Sequence, residues 1–295
     1  MSTPKRHGIV VGVDGSPASN SAVCWAARDA ALRGLPLTLV HMVNLAPTWP
    51  EMPMLAGISV WLEEDGRQVI EQAIKMVKDA LASDKVHISS QLIWSPPTPT
   101  LIELSREAEI LVVGSHGRGA VARGLLGSVS SGVVRRANCP VAVIREEGAS
   151  EPHPIDPESA PVLLGIDGSP ASELATAIAF DEASRRGVEL NAVHAWSDVE
   201  VVELPGLDWS ACQEEAAQIL AERLAGWQER YPDVKVHRSV VCDRPARRLL
   251  KDASSAQLVV VGSHGRGGLA GMLLGSVSNA VVHSVHIPVI VARQS

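Results

Sequence analysis

The chain has 295 residues, a formal net charge of -7 and only 3% aromatic side chains. That length accommodates two domains, and a core so poor in aromatics must be built from Val, Leu, Ile and Ala, which suits parallel strands covered on both faces. The acidic balance argues against a general nucleic-acid or anionic-membrane partner, because phosphate polymers want a basic surface; it does not exclude one small phosphorylated ligand.

Residues 9–14 read as a buried strand, Ile9-Val10-Val11-Gly12-Val13-Asp14. Gly15-Ser16-Pro17 then reads as the turn into a helix, with Ser16 as N-cap and Pro17 as the first helical residue. That helix should stop at Arg33-Gly34, where glycine is the stop signal. A second strand covers 37–43, and residues 46–59 form a loop that contains Trp49. Behind it, Ile70, Ile74, Val77 and Leu81 recur at helical spacing. A third strand spans 86–94, a short helix lies around 101–106, and a fourth apolar strand occupies 110–113. Gly114-Ser115-His116-Gly117-Arg118-Gly119 follows, then a short apolar segment. Gly127-Ser128-Val129-Ser130 opens the next helix, and residues 140–144 make a last strand.

The series then repeats. Residues 162–167 match the first strand, Gly168-Ser169-Pro170 its turn, and Arg186-Gly187 the helix end. A strand at 190–196 and a loop at 197–208, running to Trp209, come next. Ile219, Leu220, Leu224 and Trp227 mark the second long helix, with a strand at 234–241 and a short helix at 247–253. The strand at 258–261 leads into Gly262-Ser263-His264-Gly265-Arg266-Gly267, and Gly275-Ser276-Val277-Ser278 opens the last helix before a strand at 288–292. Between the copies, residues 146–161 hold Pro152, Pro154, Pro157 and Pro161 among several acids, the composition of a solvated linker. The domains are therefore expected at 1–150 and 151–295. The alternation of strand and helix predicts two tandem Rossmann-like α/β domains, each a five-stranded, mainly parallel sheet flanked by helices. Their ligand clefts should lie at the carboxyl ends of the first and fourth strands.

Two residues separate Gly114 from Gly117, and nine separate Gly117 from the Gly127-Ser128 pair; the second copy keeps both spacings. A glycine turn supplies convergent N–H donors, and a helix opening adds free N–H groups and the positive end of its dipole. Together they can hold phosphates, whereas a lone glycine motif makes only a tight turn. Arg118 and Arg266 either add charge or point into solvent. Asp14 and Asp167 end the first strand of each half, after Gly12 and Gly165. Their carboxylates can meet a ribose or adenine edge, or brace the turn by an Asx-type bond, and the two roles are compatible. The second strands end in Met42-Val43 and Ala195-Trp196, whose backbone groups can face a base.

His116 and His264 have no serine–histidine–acid arrangement around them in the sequence, so packing or a hydrogen bond beside the phosphates is expected rather than catalysis. His41 and His194, within apolar strands, read as satisfied core histidines. Trp49 and Trp209 anchor either lids or surface loops. Cys24, Cys139, Cys212 and Cys242 show neither C-x-x-C nor zinc spacing and read as small hydrophobes of a reducing compartment. No metal site is expected. No apolar run approaches the roughly 20 residues of a bilayer span, and residues 1–8 lack a signal region, so a cytoplasmic location is expected.

G-x-x-G-x(9)-G-S after the fourth strand, with V-G-V-D-G-S or L-G-I-D-G-S at the first, resembles the ATP-binding branch of the universal stress protein family. The resemblance covers nearly the whole chain outside the linker, in a tandem form similar to that of mycobacteria and other actinobacteria. It implies a HUP-type fold and ATP, with or without Mg2+, between the first and fourth strands of each half. Asp14 and Asp167 would lie near the adenosine. Gly114, Gly117, Gly127 and Ser128 would take the phosphates in one half, and Gly262, Gly265, Gly275 and Ser276 in the other. Ser115, Gly119, Val129, Ser130, Ser263, Gly267, Val277 and Ser278 complete the two expected sites. The resemblance also implies a role in stress survival, including growth restraint under low oxygen or nitrosative stress, and a homodimer formed through residues 141–144 and 289–292. An unidentified regulatory protein partner fits the same picture. Neither turn carries the Walker A lysine, the H-x-G-H of nucleotidylyl transferases is lacking, and G-x-G-x-x-G does not follow the first strand. A binding and regulatory protein is expected; a slow ATPase or phosphate-transferring enzyme is the alternative.

Overall fold

Ile9, Val10 and Val11 are all completely buried although successive side chains point to opposite faces, so their strand must lie inside a sheet covered on both sides. In the computed structural model this strand is β1 (Ile9–Gly12). The structure describes residues 7–44, 55–81, 86–119, 126–146, 159–195, 209–265 and 274–293. The chain divides into two compact units, Met1–Ala149 with Gln294–Ser295, and Ser150–Arg293.

In the first unit β1 is followed by α1 (Pro17–Arg33), β2 (Leu37–Val43), α2 (Leu55–Leu81), β3 (Ile88–Trp94), α3 (Pro97–Leu104), β4 (Ile110–Gly114), α4 (Ser128–Arg136) and β5 (Val141–Ile144). The strand order is β3-β2-β1-β4-β5, and each neighbouring pair is parallel. Right-handed crossovers put α1 and α2 on one face and α3 and α4 on the other. The packing agrees, with α1 against α2 and α3 against α4.

The second unit repeats this with β6 (Val162–Gly165), α5 (Pro170–Arg186), β7 (Leu190–Ala195), α6 (Trp209–Arg230), β8 (Val236–Val241), α7 (Pro245–Asp252), β9 (Leu258–Gly262), α8 (Ser276–Ser284) and β10 (Val289–Ala292). Its order is β10-β9-β6-β7-β8, again parallel throughout. The fold class expected from the alternation is the one observed.

Short-range signals set the ends of α1 and α5. Ser16 and Ser169 accept the N–H of Ser19 and Ser172, the prolines follow, and Gly34 and Gly187 close the helices in the left-handed region, at φ 63° and 66°. Elsewhere the boundaries moved. Residues 55–59, read as loop, form the first turn of α2; Gly57, Ser59 and Val60 are weak helix formers that hid it, and the apolar face further along carries the helix. The short helices start at Pro97 and Pro245, earlier than the apolar spacing suggested, because proline is well placed at a first helical position. Most of the linker, residues 46–54 with Trp49, and residues 197–208 lie outside the described residues. Trp209 is the first residue of α6.

The units differ where α5 meets α6. Phe180 is fully buried and stacks on Trp227 at 6.1 Å between ring centroids, with Tyr231 at 5.8 Å. The one phenylalanine of the chain thus sits in the second unit.

Candidate functional site

β1 and β4 lie side by side with Val11 paired to Val112, and the chain leaves them in opposite directions. From β1 it passes to α1 on one face; from β4 it passes, through the glycine turn, to α4 on the other. Such a divergence opens a crevice at the carboxyl ends of the strands. In the first unit it holds a cavity of about 740 Å³, within the range usual for small-molecule sites.

Asp14 ties the two sides together. Its Oδ1 accepts the Ser16 N–H at 2.9 Å, which is the Asx brace of the turn. Its Oδ2 accepts the Arg118 N–H at 3.3 Å, and its own N–H donates to Ser19 Oγ at 3.1 Å. Gly117 lies so close that an added methyl would come 2.5 Å from Asp14 Oδ2. Ser16, already the cap of α1, donates its hydroxyl to the His116 carbonyl at 3.2 Å. The β1–α1 turn and the glycine turn are therefore cross-linked by hydrogen bonds.

Ser115 fastens the glycine turn from behind. Its N–H donates to the Ile144 carbonyl at 2.7 Å, and its carbonyl accepts the Gly127 N–H at 2.7 Å. Its hydroxyl bonds His116 Nδ1 at 2.8 Å. Ser115 is completely buried, whereas His116 lines the cavity. The pair orients the imidazole.

α1 and α4 treat their first-turn N–H groups differently. The Ser16 side chain closes α1. The N-cap of α4 is Gly127, which has no side chain to offer, and Ser128, Val129 and Ser130 line the cavity. Ser130 Oγ donates to the Gly114 carbonyl at 2.6 Å, which joins the two ends of the glycine segment. The open helix end is thus aimed into the crevice, with its partial positive charge uncovered.

The other end of the cavity is apolar. Val43 lines it with Met42 and Asn44 at the end of β2, and Val13, Leu62, Pro97 and Leu101 add further apolar lining to the cavity. β2 and β4 flank β1, so about two strand spacings of roughly 4.8 Å separate this end from the glycine turn. His41 stands between them, buried, with Nδ1 at 2.7 Å from the Val13 carbonyl. A carbonyl only accepts, so Nδ1 carries the proton. One anion-binding end and one apolar end, some 10 Å apart, suit an elongated ligand with a phosphate at one terminus.

The second unit repeats the bonds nearly one for one. Asp167 Oδ1 accepts the Ser169 N–H at 2.9 Å, Ser169 Oγ donates to the His264 carbonyl at 3.2 Å, and Ser263 Oγ lies 3.1 Å from His264 Nδ1. Ser278 Oγ donates to the Gly262 carbonyl, and Gly275 caps α8 without a side chain. A methyl at Gly265 would come 2.6 Å from Asp167 Oδ2. His194 Nδ1 bonds the Ile166 carbonyl at 2.8 Å. Trp196, Arg266 and Gly267 lie outside the described residues.

Of the residues expected in the first site, Gly12, Asp14, Val43, Gly114, His116, Gly117, Arg118, Gly119, Gly127, Ser128, Val129 and Ser130 line the cavity; Ser115 lies behind it. Sequence reasoning missed Leu62 and Asp65 of α2 and Pro97 and Leu101 of α3. The spacing of Leu62, Val69 and Ala73 continues the apolar face of α2 into the cavity and could have flagged the first two. Arg118 does not point freely into solvent: its Nη1 bonds Asp65 Oδ2 at 2.7 Å.

Fold and crevice define a class, the doubly wound α/β domain with a ligand cleft at the switch point between β1 and β4. The pattern of the Universal stress protein family matches residues 5–145 and 159–293, so the chain belongs to that family, in two copies. It is 67% identical to universal stress protein Rv2005c of Mycobacterium tuberculosis over 298 residues, with 100% of both chains covered. It is 55% identical to universal stress protein Rv2623 of the same organism over 290 residues, covering 98% of this chain and 97% of the relative. Among solved structures, a universal stress protein from Archaeoglobus fulgidus superposes with a TM-score of 0.71 over 98% of each chain, at 20% identity, which bears on the fold. Among the described residues no helix is long and apolar enough to cross a membrane.

Proposed function

We propose that this protein binds ATP in the crevice of each unit and acts as a stress-response regulator, with occupancy setting its conformation or its choice of partner. The observation that carries the reading is the α4 N-terminus: a glycine cap leaves its N–H groups open toward the cavity while the serine-capped α1, on the opposite face of the sheet, is closed. Backbone donors of this kind, with the Gly117–Gly119 turn, fit phosphates. The apolar end at Val43 fits a purine, and Asp14 follows β1, between β2 and β4, where its carboxylate can meet a ribose. Membership of the universal stress protein family supports the regulatory role.

Mg2+, where it accompanies the nucleotide, would neutralise phosphate charge. A cytoplasmic location and a homodimer belong to the same reading; sedimentation at two concentrations checks the dimer, and a monomer mass at both would remove it. Hydrolysis is not part of the proposal.

The direct test is to heat-denature freshly purified protein and identify the released nucleotide by mass spectrometry. Close to two ATP per chain supports the binder. Mostly ADP, with steady phosphate release in a turnover assay, would make the protein an enzyme instead. A dinucleotide, or no nucleotide at all, would refute the reading.

A further inference from the structure

Arg118 follows Gly117 in the glycine turn, so its backbone belongs to the phosphate end of the first cavity. Its guanidinium does not stay there. Nη1 bonds Asp65 of α2 at 2.7 Å, and Nη2 lies over Gly15, where an added methyl would meet it at 2.7 Å. Gly15 has φ 77°, and the same point is 3.3 Å from Val69 Cγ2 of α2. The cation is thus seated on the α1–α2 face, while the open α4 N-terminus belongs to the opposite face. Among the described residues lining the cavity, Arg118 is the only lysine or arginine, against the carboxylates of Asp14 and Asp65.

We infer that Asp65 is a latch: it holds Arg118 away from the phosphates, and an incoming polyphosphate must outcompete this internal carboxylate for the guanidinium. The inference rests on the nucleotide reading above and names what regulates that site. The pair is suited to exchange, because Arg118 and Asp65 are 49% and 30% exposed and an ion pair that open to water is weak. A phosphate offers the planar guanidinium a bidentate, more highly charged partner. Exchange releases α2 from the glycine turn, so a ligand with a phosphate tail changes the contacts of α2 where a bare nucleoside does not. In the second unit the guanidinium over the matching glycine comes from α6: Arg223 Nη1 donates to the Gly168 carbonyl at 3.1 Å. The seat above that turn is filled by a residue outside the glycine loop, and the inference is drawn for the first unit alone.

Hydrogen–deuterium exchange of the full chain, titrated with ATP, adenosine or inorganic triphosphate, resolves the sites through peptides covering 113–119 and 261–265. Asp65→Asn should tighten ATP and triphosphate at the first site by about three- to fivefold, the scale of an exposed ion pair. Adenosine binding and the second site should not change. In an Arg118→Gln background the same substitution should have no effect. Equal tightening in that background would reduce Asp65 to plain charge repulsion and overturn the latch. Weaker ATP binding in Asp65→Asn would also overturn it, by making Asp65 the residue that positions Arg118 on the phosphates. If triphosphate gains from Asp65→Asn while neither ATP nor adenosine protects the turn, the latch stands and the nucleotide reading falls. No gain with either phosphate probe overturns the latch.

Discussion

The carboxylate of Asp14 stands over the Cα of Gly117, so that a methyl there would approach Oδ2 to 2.5 Å; Asp167 and Gly265 repeat the relationship at 2.6 Å. A side chain at either glycine therefore strikes an aspartate before it reaches any ligand. Gly117→Ala together with Gly265→Ala should push both carboxylates off the turns and free the N–H that Asp14 accepts from Arg118. The crowding should cost about 1–3 kcal/mol per site and lower Tm by a few degrees. Retained ATP should be lost with helicity unchanged, read by mass spectrometry and far-UV circular dichroism. A full ATP complement in the double variant would refute the cradle.

Ser16 serves two structures at once. It caps α1 through the Ser19 N–H and holds the His116 carbonyl of the glycine turn. Ser16→Ala should cost the roughly 1 kcal/mol of an ordinary cap and also weaken ligand binding at the first site. Ser16→Thr, which keeps the hydroxyl, should restore both. Thermal melts and calorimetric titration check the pair; an affinity untouched by Ser16→Ala would mean that the bond to His116 is idle.

His41 holds the Val13 carbonyl where β1 ends. Replacing it by Leu keeps the apolar volume and removes the donor, leaving a buried carbonyl unsatisfied at about 1–3 kcal/mol. His41→Leu should lower Tm and loosen the Asp14 turn, with faster hydrogen exchange over residues 13–16. His194→Leu should do the same at Ile166 in the second unit. Unchanged exchange would show that the turn holds without the histidine.

On β7's approach, Glu189 bonds Lys235 Nζ at 2.7 Å and His237 Nε2 at 2.8 Å. The hydrogen bonds from Lys235 and then His237 hold its carboxyl below the ordinary glutamate value. A depressed carboxyl stabilises the fold above its unfolded pKa, and the contribution disappears as pH falls through the lower folded value. Glu189→Gln should therefore flatten the acid side of a Tm–pH profile and leave Tm lower at neutral pH. The group is exposed, so the change should be small and should fade in 1 M NaCl. A salt-independent difference would point to packing rather than charge.

Much of the site was legible from residues close in sequence. The helix caps, the stops at Gly34 and Gly187, and the glycine spacing all act over a few residues, so the local sequence specifies them. Writing the set twice turned a weak glycine motif into a candidate binding site, and the alternation of strand and helix was enough for parallel sheets. What stayed hidden joins residues far apart in the chain. Arg118 meets Asp65 across 53 positions, and its N–H meets Asp14 across 104. Pro97 and Leu101 enter the cavity from a helix on the other face of the sheet from α2. Such meetings depend on which faces the crossovers bring together and how closely the helices pack, and no local pattern records that. The sequence by itself determined the duplicated fold and a glycine turn fit for phosphate. Tertiary structure decided that an aspartate from α2 holds the only arginine of that turn, because packing places their charges within bonding distance.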